Sequence, residues 1–141
     1  SRKGTNMSEA NRSYGRVKIL NRHSTHPVET GLKWISHMPK AVAHINDTPV
    51  EVGNLRLSTF KNKGTKCVKC GLPASHWAIE AVDSPSFKGH ALNLYGVKDG
   101  KEIYFTKDHT HPASKGGPNT PENLETMCWP CNQAKGNTVA P

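Results

Sequence analysis

Hydrophobic and polar positions change period several times along the chain, and each change marks an element. In residues 28–37, Val28, Leu32 and Ile35 recur at helical spacing with Trp34 beside them, which predicts an amphipathic helix that Pro39 ends. Residues 40–45 read as a further helical turn. Asn46-Asp47-Thr48-Pro49 reads as a chain reversal, and Val50-Glu51-Val52 as a strand fragment. Residues 55–60 predict a helix leading into Cys67, with Gly64 as its stop. Residues 76–82 alternate as a strand that Asp83-Ser84-Pro85-Ser86 breaks. Residues 92–97 and 102–106 flank Lys98-Asp99-Gly100-Lys101, and Asp-Gly between two alternating runs predicts a hairpin. Residues 111–120 are too rich in Gly, Pro, Ser and Asn for regular structure. A short return strand over 124–127 and a short helix over 132–136 complete the pattern.

The first part of the chain carries less pattern. Residues 1–16 are polar and basic without apolar periodicity, which predicts a tail that orders only on a partner. Val17-Lys18-Ile19-Leu20 is a short apolar step. His23 and His26 sit in a turn-like stretch before Pro27 and read as exposed loop histidines, while Trp34 reads as a core anchor.

A chain of 141 residues with 34% hydrophobic content suits one small domain with an appendage. Aromatic residues make up only 6%, a thin core that a structural metal would offset. Residues 1–66 hold 12 Lys/Arg against 4 Asp/Glu, whereas residues 67–141 hold 7 of each, so the whole excess of +8 lies in the first half. Such a run is either a solvated face or a phosphate-binding arm. The division expected is a basic flexible tail over 1–16, a partly helical region over 17–59, and a domain over 60–141. No stretch has the apolar length of a membrane span and no signal-type run appears, which predicts a soluble, cytoplasmic protein with no membrane partner.

Candidate chemistry concentrates in residues 104–137. Cys67-X-X-Cys70 and Cys128-X-X-Cys131 form two Cys-X-X-Cys pairs, the ligand set for one tetrahedral zinc; the same grouping argues against two disulfides. Asp108 and His109 are adjacent, so on a strand their side chains point to opposite faces, one free for a hard cation and the other for a substrate. Asn132 follows the last cysteine at a helix start. A carboxylate and an amide oxygen with waters suit Mg²⁺, and an imidazole beside them suits a general base.

DHTHPASKGG, NLETMCWPCN and QAKGN, in this order, resemble the HNH or ββα-metal endonucleases, in the subgroup stapled by a four-cysteine zinc, and most closely the phage or mobile-element type of a bacterial host cell. The resemblance covers residues 60–137. It implies an α+β fold: a small ββα-metal core with a structural zinc, preceded by a basic, partly helical region, with 17–59 as a DNA-binding region and 60–141 as the zinc-stapled nuclease domain. It implies His109 as the general base, Asp108 and Asn132 as ligands of a catalytic Mg²⁺ (or Mn²⁺ or Ni²⁺), and Asn123 as the middle Asn that braces the loop carrying His109. Asn132 stands where the family name has its final His. His111 is open between a catalytic role and a loop setting before Pro112. Lys115 and Lys135 are candidate phosphate contacts, and Arg56, Lys61 and Lys63 line either a nucleic-acid groove or a solubilising face. The function implied is hydrolysis of double-stranded DNA to 5′-phosphate and 3′-hydroxyl ends. The rival readings are a non-catalytic zinc module that binds nucleic acid, and a nuclease of the same fold acting on branched DNA or RNA.

Overall fold

A computed structural model describes residues 12–136. In chain order the strands are β1 (Arg12–Tyr14), β2 (Val17–Pro27), β3 (Val42–Ile45), β4 (Thr48–Glu51), β5 (Ala74–Asp83), β6 (Lys88–Lys98), β7 (Lys101–His109) and β8 (Leu124–Cys128). The helices are α1 (Val28–Trp34), α2 (Leu55–Lys63) and α3 (Trp129–Lys135). The architecture is a strand-rich sheet with three helices among the described residues.

Sheet order runs β1-β2-β5-β6-β4-β3, with β7 pairing both β6 and β8. The long antiparallel pair β5–β6 forms the middle; Asp99 (φ 53°) and Gly100 (φ 76°) make the positive-φ turn from β6 to β7. Two strands share the outer edge of β6. Chain β4 runs parallel to it at His90 and Ala91, and β7 runs antiparallel at residues 95–98. Between them, Leu92 and Asn93 are bridged by Arg56 from α2, whose Nη2 donates to Leu92 O at 3.1 Å and to Asn93 Oδ1 at 2.8 Å, while Nη1 donates to Phe105 O at 3.4 Å. A guanidinium thus satisfies carbonyls that no neighbouring strand reaches.

One face of the sheet carries Trp77, Ile79, Leu92, Leu94 and Phe105, covered by Leu57 and Phe60 of α2. Gly31 lets α1 lie on Trp77, since a Cβ there would fall 2.3 Å from the indole, and Trp77 Nε1 donates to Val28 O at 2.8 Å. Helix α2 starts at Asn54, whose side chain accepts from Leu57 N at 2.9 Å, and ends at Gly64 (φ 105°). The other face is polar. Glu80 is fully buried there and accepts from Tyr95 Oη, Asn93 Nδ2 and Arg22 Nε; Arg22 also reaches Glu102, which holds Arg12 and His76. Tyr14 stacks on Tyr104 at 4.0 Å between ring centroids, with Trp129 against its edge.

Several expectations for the first half are corrected. Residues 42–45 form strand β3 rather than a helical turn, because Asn46 and Asp47 at positive φ fold them onto β4 as a hairpin. His23 and His26 lie within β2, paired to β5, not in a turn; Pro27 is tolerated as the strand's last residue. Residues 17–20 open that same strand of 11 residues. Residues 12–14 pair with β2, so the tail expected over 1–16 is strand in part, and residues 1–11 lie outside the described residues. The region 17–59 is partly helical, in α1 and the start of α2, and holds the strands β2, β3 and β4 besides. The boundary expected at 59/60 runs through one sheet, since β2 pairs β5 and β4 pairs β6.

Candidate active site and cysteine cluster

The last two residues of β7 are Asp108 and His109, which face Glu125 and Leu124 of β8. Pairing with β6 stops at Tyr104, and from Phe105 onward β7 pairs with β8. Strand alternation puts Thr106 and Asp108 on one face and Lys107 and His109 on the other. Helix α3 presents Asn132 and Lys135, three residues apart on one helix face, to this strand. Asn132 Nδ2 donates to Thr106 Oγ1 at 2.9 Å, and the Thr106 hydroxyl donates to Met127 O at 2.8 Å. That chain of donors fixes the amide's orientation and leaves Asn132 Oδ1 as its untied end.

Lys135 Nζ donates to His109 O at 2.6 Å and lies 3.0 Å from Asp108 Oδ2, with the two side chains only 11% and 17% exposed. Asp108 Oδ2 is buried and accepts no aligned hydrogen bond, so its contact with Lys135 is ionic. Such an oxygen, held with a cation against it, suits a metal ligand, and a hard-oxygen pair with Asn132 suits Mg²⁺.

The chain between β7 and β8 is closed by its own backbone and by Asn123. Thr110 N donates to Asn123 O at 2.8 Å; the Asn123 side chain accepts from His111 N at 2.8 Å and donates to His111 O at 3.0 Å and Pro118 O at 2.9 Å. Gly117 folds so closely that a Cβ would meet His111 O at 1.8 Å, which gives the second glycine of the Gly-Gly pair a packing reason. His109 Nε2 donates to Asn119 Oδ1, leaving Nδ1 as the nitrogen with a lone pair. His111 is exposed and its Nε2 donates to Lys115 O at 3.0 Å, within its own loop.

Asp108, His109 and Lys135 line one cavity of about 100 Å³ with Pro112, Ala113 and Ser114. Asn132 joins through Thr106, and Asn123 stands behind the loop. His111 and Lys115 are not among the cavity's lining residues. Lys135, a candidate phosphate contact, lies with its Nζ 3.0 Å from Asp108 Oδ2. Lys115 is exposed at the loop's short helical turn.

Cys67, Cys70, Cys128 and Cys131 place their sulfurs within 4.8 Å of one another, and none is in a disulfide. Cys70 Sγ lies 3.8 Å from Cys128 Sγ, close to the separation of about 3.8 Å that Zn–S bonds of ~2.3 Å give in a tetrahedron. The four cysteines could bind zinc. Lys69 N and Cys70 N point at Cys67 Sγ at 3.4 and 3.5 Å. Burial pushes the Cys67 thiol up, but backbone N–H groups of Cys128, Cys70 and Lys69 outweigh it and bring it down to about 6. Burial pushes the Cys128 thiol up. The first pair is tied to β8 by Val68 N to Thr126 O at 3.0 Å and by the Thr126 hydroxyl to Gly64 O at 2.7 Å.

Of the basic residues ahead of the cysteines, Arg56 turns inward to the carbonyls of β6 and β7 and stacks near Tyr104. Lys61 Nζ donates to Leu32 O at 3.2 Å and Ile35 O at 3.4 Å, closing the end of α1. Lys63 is exposed.

Residues 97–138 match the family model described as HNH endonuclease. The matched span runs from the end of β6 through α3 and holds Asp108, His109, Asn123 and Asn132, with the second cysteine pair. No curated protein and no solved structure matches the chain. No helix among the described residues is long and apolar enough to cross a membrane.

Sequence reasoning missed Thr106 and Asn119 in this segment. Thr106 was open to detection, because a residue two before Asp108 shares its strand face. Asn119 carried no signal, since only the fold of the loop brings it to His109.

Proposed function

We propose that the protein is a metal-dependent DNA endonuclease of the HNH type. The observation that carries the reading is the convergence of His109 with a buried, hydrogen-bond-poor Asp108 carboxylate in one cavity, inside the segment that matches the family. Asp108 and Asn132 would hold a divalent cation such as Mg²⁺. When bound there, it supplies Lewis-acid stabilisation of charge on the phosphoryl oxygens and the leaving 3′ oxygen.

The chain's own residues do the rest. His109 takes the proton of the attacking water at Nδ1, while Asn119 holds Nε2 and so sets the ring's tautomer and direction. Asn123 clamps both ends of the loop, keeping His109 at the cavity mouth. Thr106 accepts from the amide nitrogen of Asn132 and so leaves the amide oxygen for the cation. Zinc on the four cysteines is structural in this reading, because a closed sulfur shell leaves no position for water. A double-stranded DNA substrate is what the +8 charge of the chain supports, through phosphate contacts that release counterions.

The test is incubation of the wild type and His109→Ala with supercoiled plasmid, with and without Mg²⁺, following nicked and linear forms. Metal-dependent cutting lost in the variant is expected. Equal cutting by both proteins overturns the mechanism, and no cutting of duplex, branched or RNA substrates would leave a zinc-stabilised binding module.

A further inference from the structure

Between β6 and β7, away from the cavity at Asp108, lies a second cavity of about 250 Å³, the space of roughly eight waters. It exists because β7 leaves β6 after Tyr104 to join β8, while β4 reaches β6 only at His90 and Ala91. Its lining is of two kinds. Val82, Phe87 and Tyr104 give apolar and aromatic wall, and Arg56 and Lys107 give two cations.

Among the described residues neither cation is in a contact ion pair, and Lys107 feels the attraction of the neighbouring Asp108 carboxylate as well as the repulsion of Arg56. Arg56 is spent on neutral acceptors, the carbonyls of Leu92 and Phe105 and the amide of Asn93, so it keeps its full charge and a fixed position. Lys107, half-buried in the strand that carries Asp108 and His109, makes no ion pair or hydrogen bond with another described residue. The single carboxylate in the lining, Glu51, is held by Asn54 Nδ2 at 2.8 Å. Two neighbouring cations in a partly dehydrated cleft repel each other, and an anion between them removes that cost. The volume exceeds what a bare anion needs, and the aromatic wall suits a flat body attached to it.

We propose that the cleft between β6 and β7 is a nucleotide-binding subsite, with Lys107 contacting a phosphate beside the fixed charge of Arg56 and the base lying against Phe87. The ligand chemistry is a phosphate ester on a nucleoside, supplied either by a free mononucleotide or by a strand of the substrate. Only the assignment to a substrate strand rests on the nuclease reading; the binding does not.

The experiment is isothermal titration of the zinc-loaded full chain, without Mg²⁺, against thymidine 5′-monophosphate, thymidine, inorganic phosphate and a short single-stranded oligonucleotide. The nucleotide is expected to bind at least tenfold more tightly than thymidine or phosphate. Lys107→Gln should weaken it about tenfold. Ser86→Glu, which sets a carboxylate at the exposed rim without touching the core, should weaken it as much, and His109→Ala should leave it within twofold. Parallel loss of oligonucleotide binding in Lys107→Gln identifies a substrate strand, and loss for the mononucleotide alone identifies a free nucleotide. Unchanged binding in both Lys107→Gln and Ser86→Glu, loss in His109→Ala only, or thymidine binding as tightly as its phosphate overturns the subsite. Cleavage of plasmid is scored separately, so failure of the subsite and failure of the nuclease reading are distinguishable.

Discussion

Lys135 Nζ lies 3.0 Å from Asp108 Oδ2, so a cation of the chain itself neutralises the carboxylate that the nuclease reading gives to a metal. The helix that carries Lys135 begins at the second cysteine pair, and the cysteine cluster therefore sets where this cation sits. Replacing Lys135 by Gln leaves Asp108 buried without compensation in the metal-free protein. The variant should be less stable than the wild type without Mg²⁺ and should gain more from it, because binding to the native state stabilises by mass action. Thermal melts across a Mg²⁺ series check this; equal Mg²⁺-induced shifts in both proteins would show that Lys135 and the metal do not compete for Asp108.

His109 and Asp108 should separate in kinetics. His109→Ala removes the proposed base and leaves both proposed ligands, so Mg²⁺ affinity should persist while cleavage falls by about 10²–10⁴. In Asp108→Ala, metal affinity and cleavage should fall together. Isothermal titration of Mg²⁺ into each DNA-bound variant, beside single-turnover cleavage, reads both; unchanged affinity in Asp108→Ala contradicts the ligand assignment.

Thr106 acts only through Asn132. Thr106→Val removes the acceptor of Asn132 Nδ2, and cleavage should drop about 10-fold or more, as for loss of a group that orients a ligand. Thr106→Ser should restore it. A variant with full activity but lower melting temperature would confine Thr106 to its bond with Met127 O.

The cysteine cluster should hold about one zinc per chain, and a strong chelator should abolish the cooperative melt, since structural zinc binding is coupled to folding. Acidification should release the metal as the thiolates protonate. Metal analysis of freshly purified folded protein that finds no zinc contradicts this.

Glu102 should govern part of the acid stability. Burial alone would raise its carboxyl, but hydrogen bonds from His76, Arg22 and Arg12 outweigh it and hold the group well below the usual carboxylate range. A depressed folded value contributes stability above the unfolded value of about 4.3 and loses it as pH falls through and below that range. Glu102→Gln should therefore cost about 2–3 kcal/mol at pH 7 and progressively less below roughly pH 4. Denaturant melts of both proteins from pH 7 to 3 check the convergence; a constant gap contradicts it.

The sequence by itself determined the second half of this protein. Strand alternation, the Asp99-Gly100 turn and Gly64 are local signals, and the structure places strands, hairpin and helix stop where those signals lie. Asp108 and His109 were legible as a strand end, and the two Cys-X-X-Cys pairs as one cluster, because each depends on residues a few positions apart. The first half was decided by tertiary structure. Residues 40–45 have no strong period of their own and became strand only by pairing with β4, which itself pairs with β6. His23 and His26 sit in a polar stretch that is strand because β5 supplies its partner. The roles of Arg56 and Lys135 were equally hidden. A basic residue reads the same in sequence whether it faces water, a carbonyl or a carboxylate, and only the splitting of β7 from β6 and the docking of α3 chose between them.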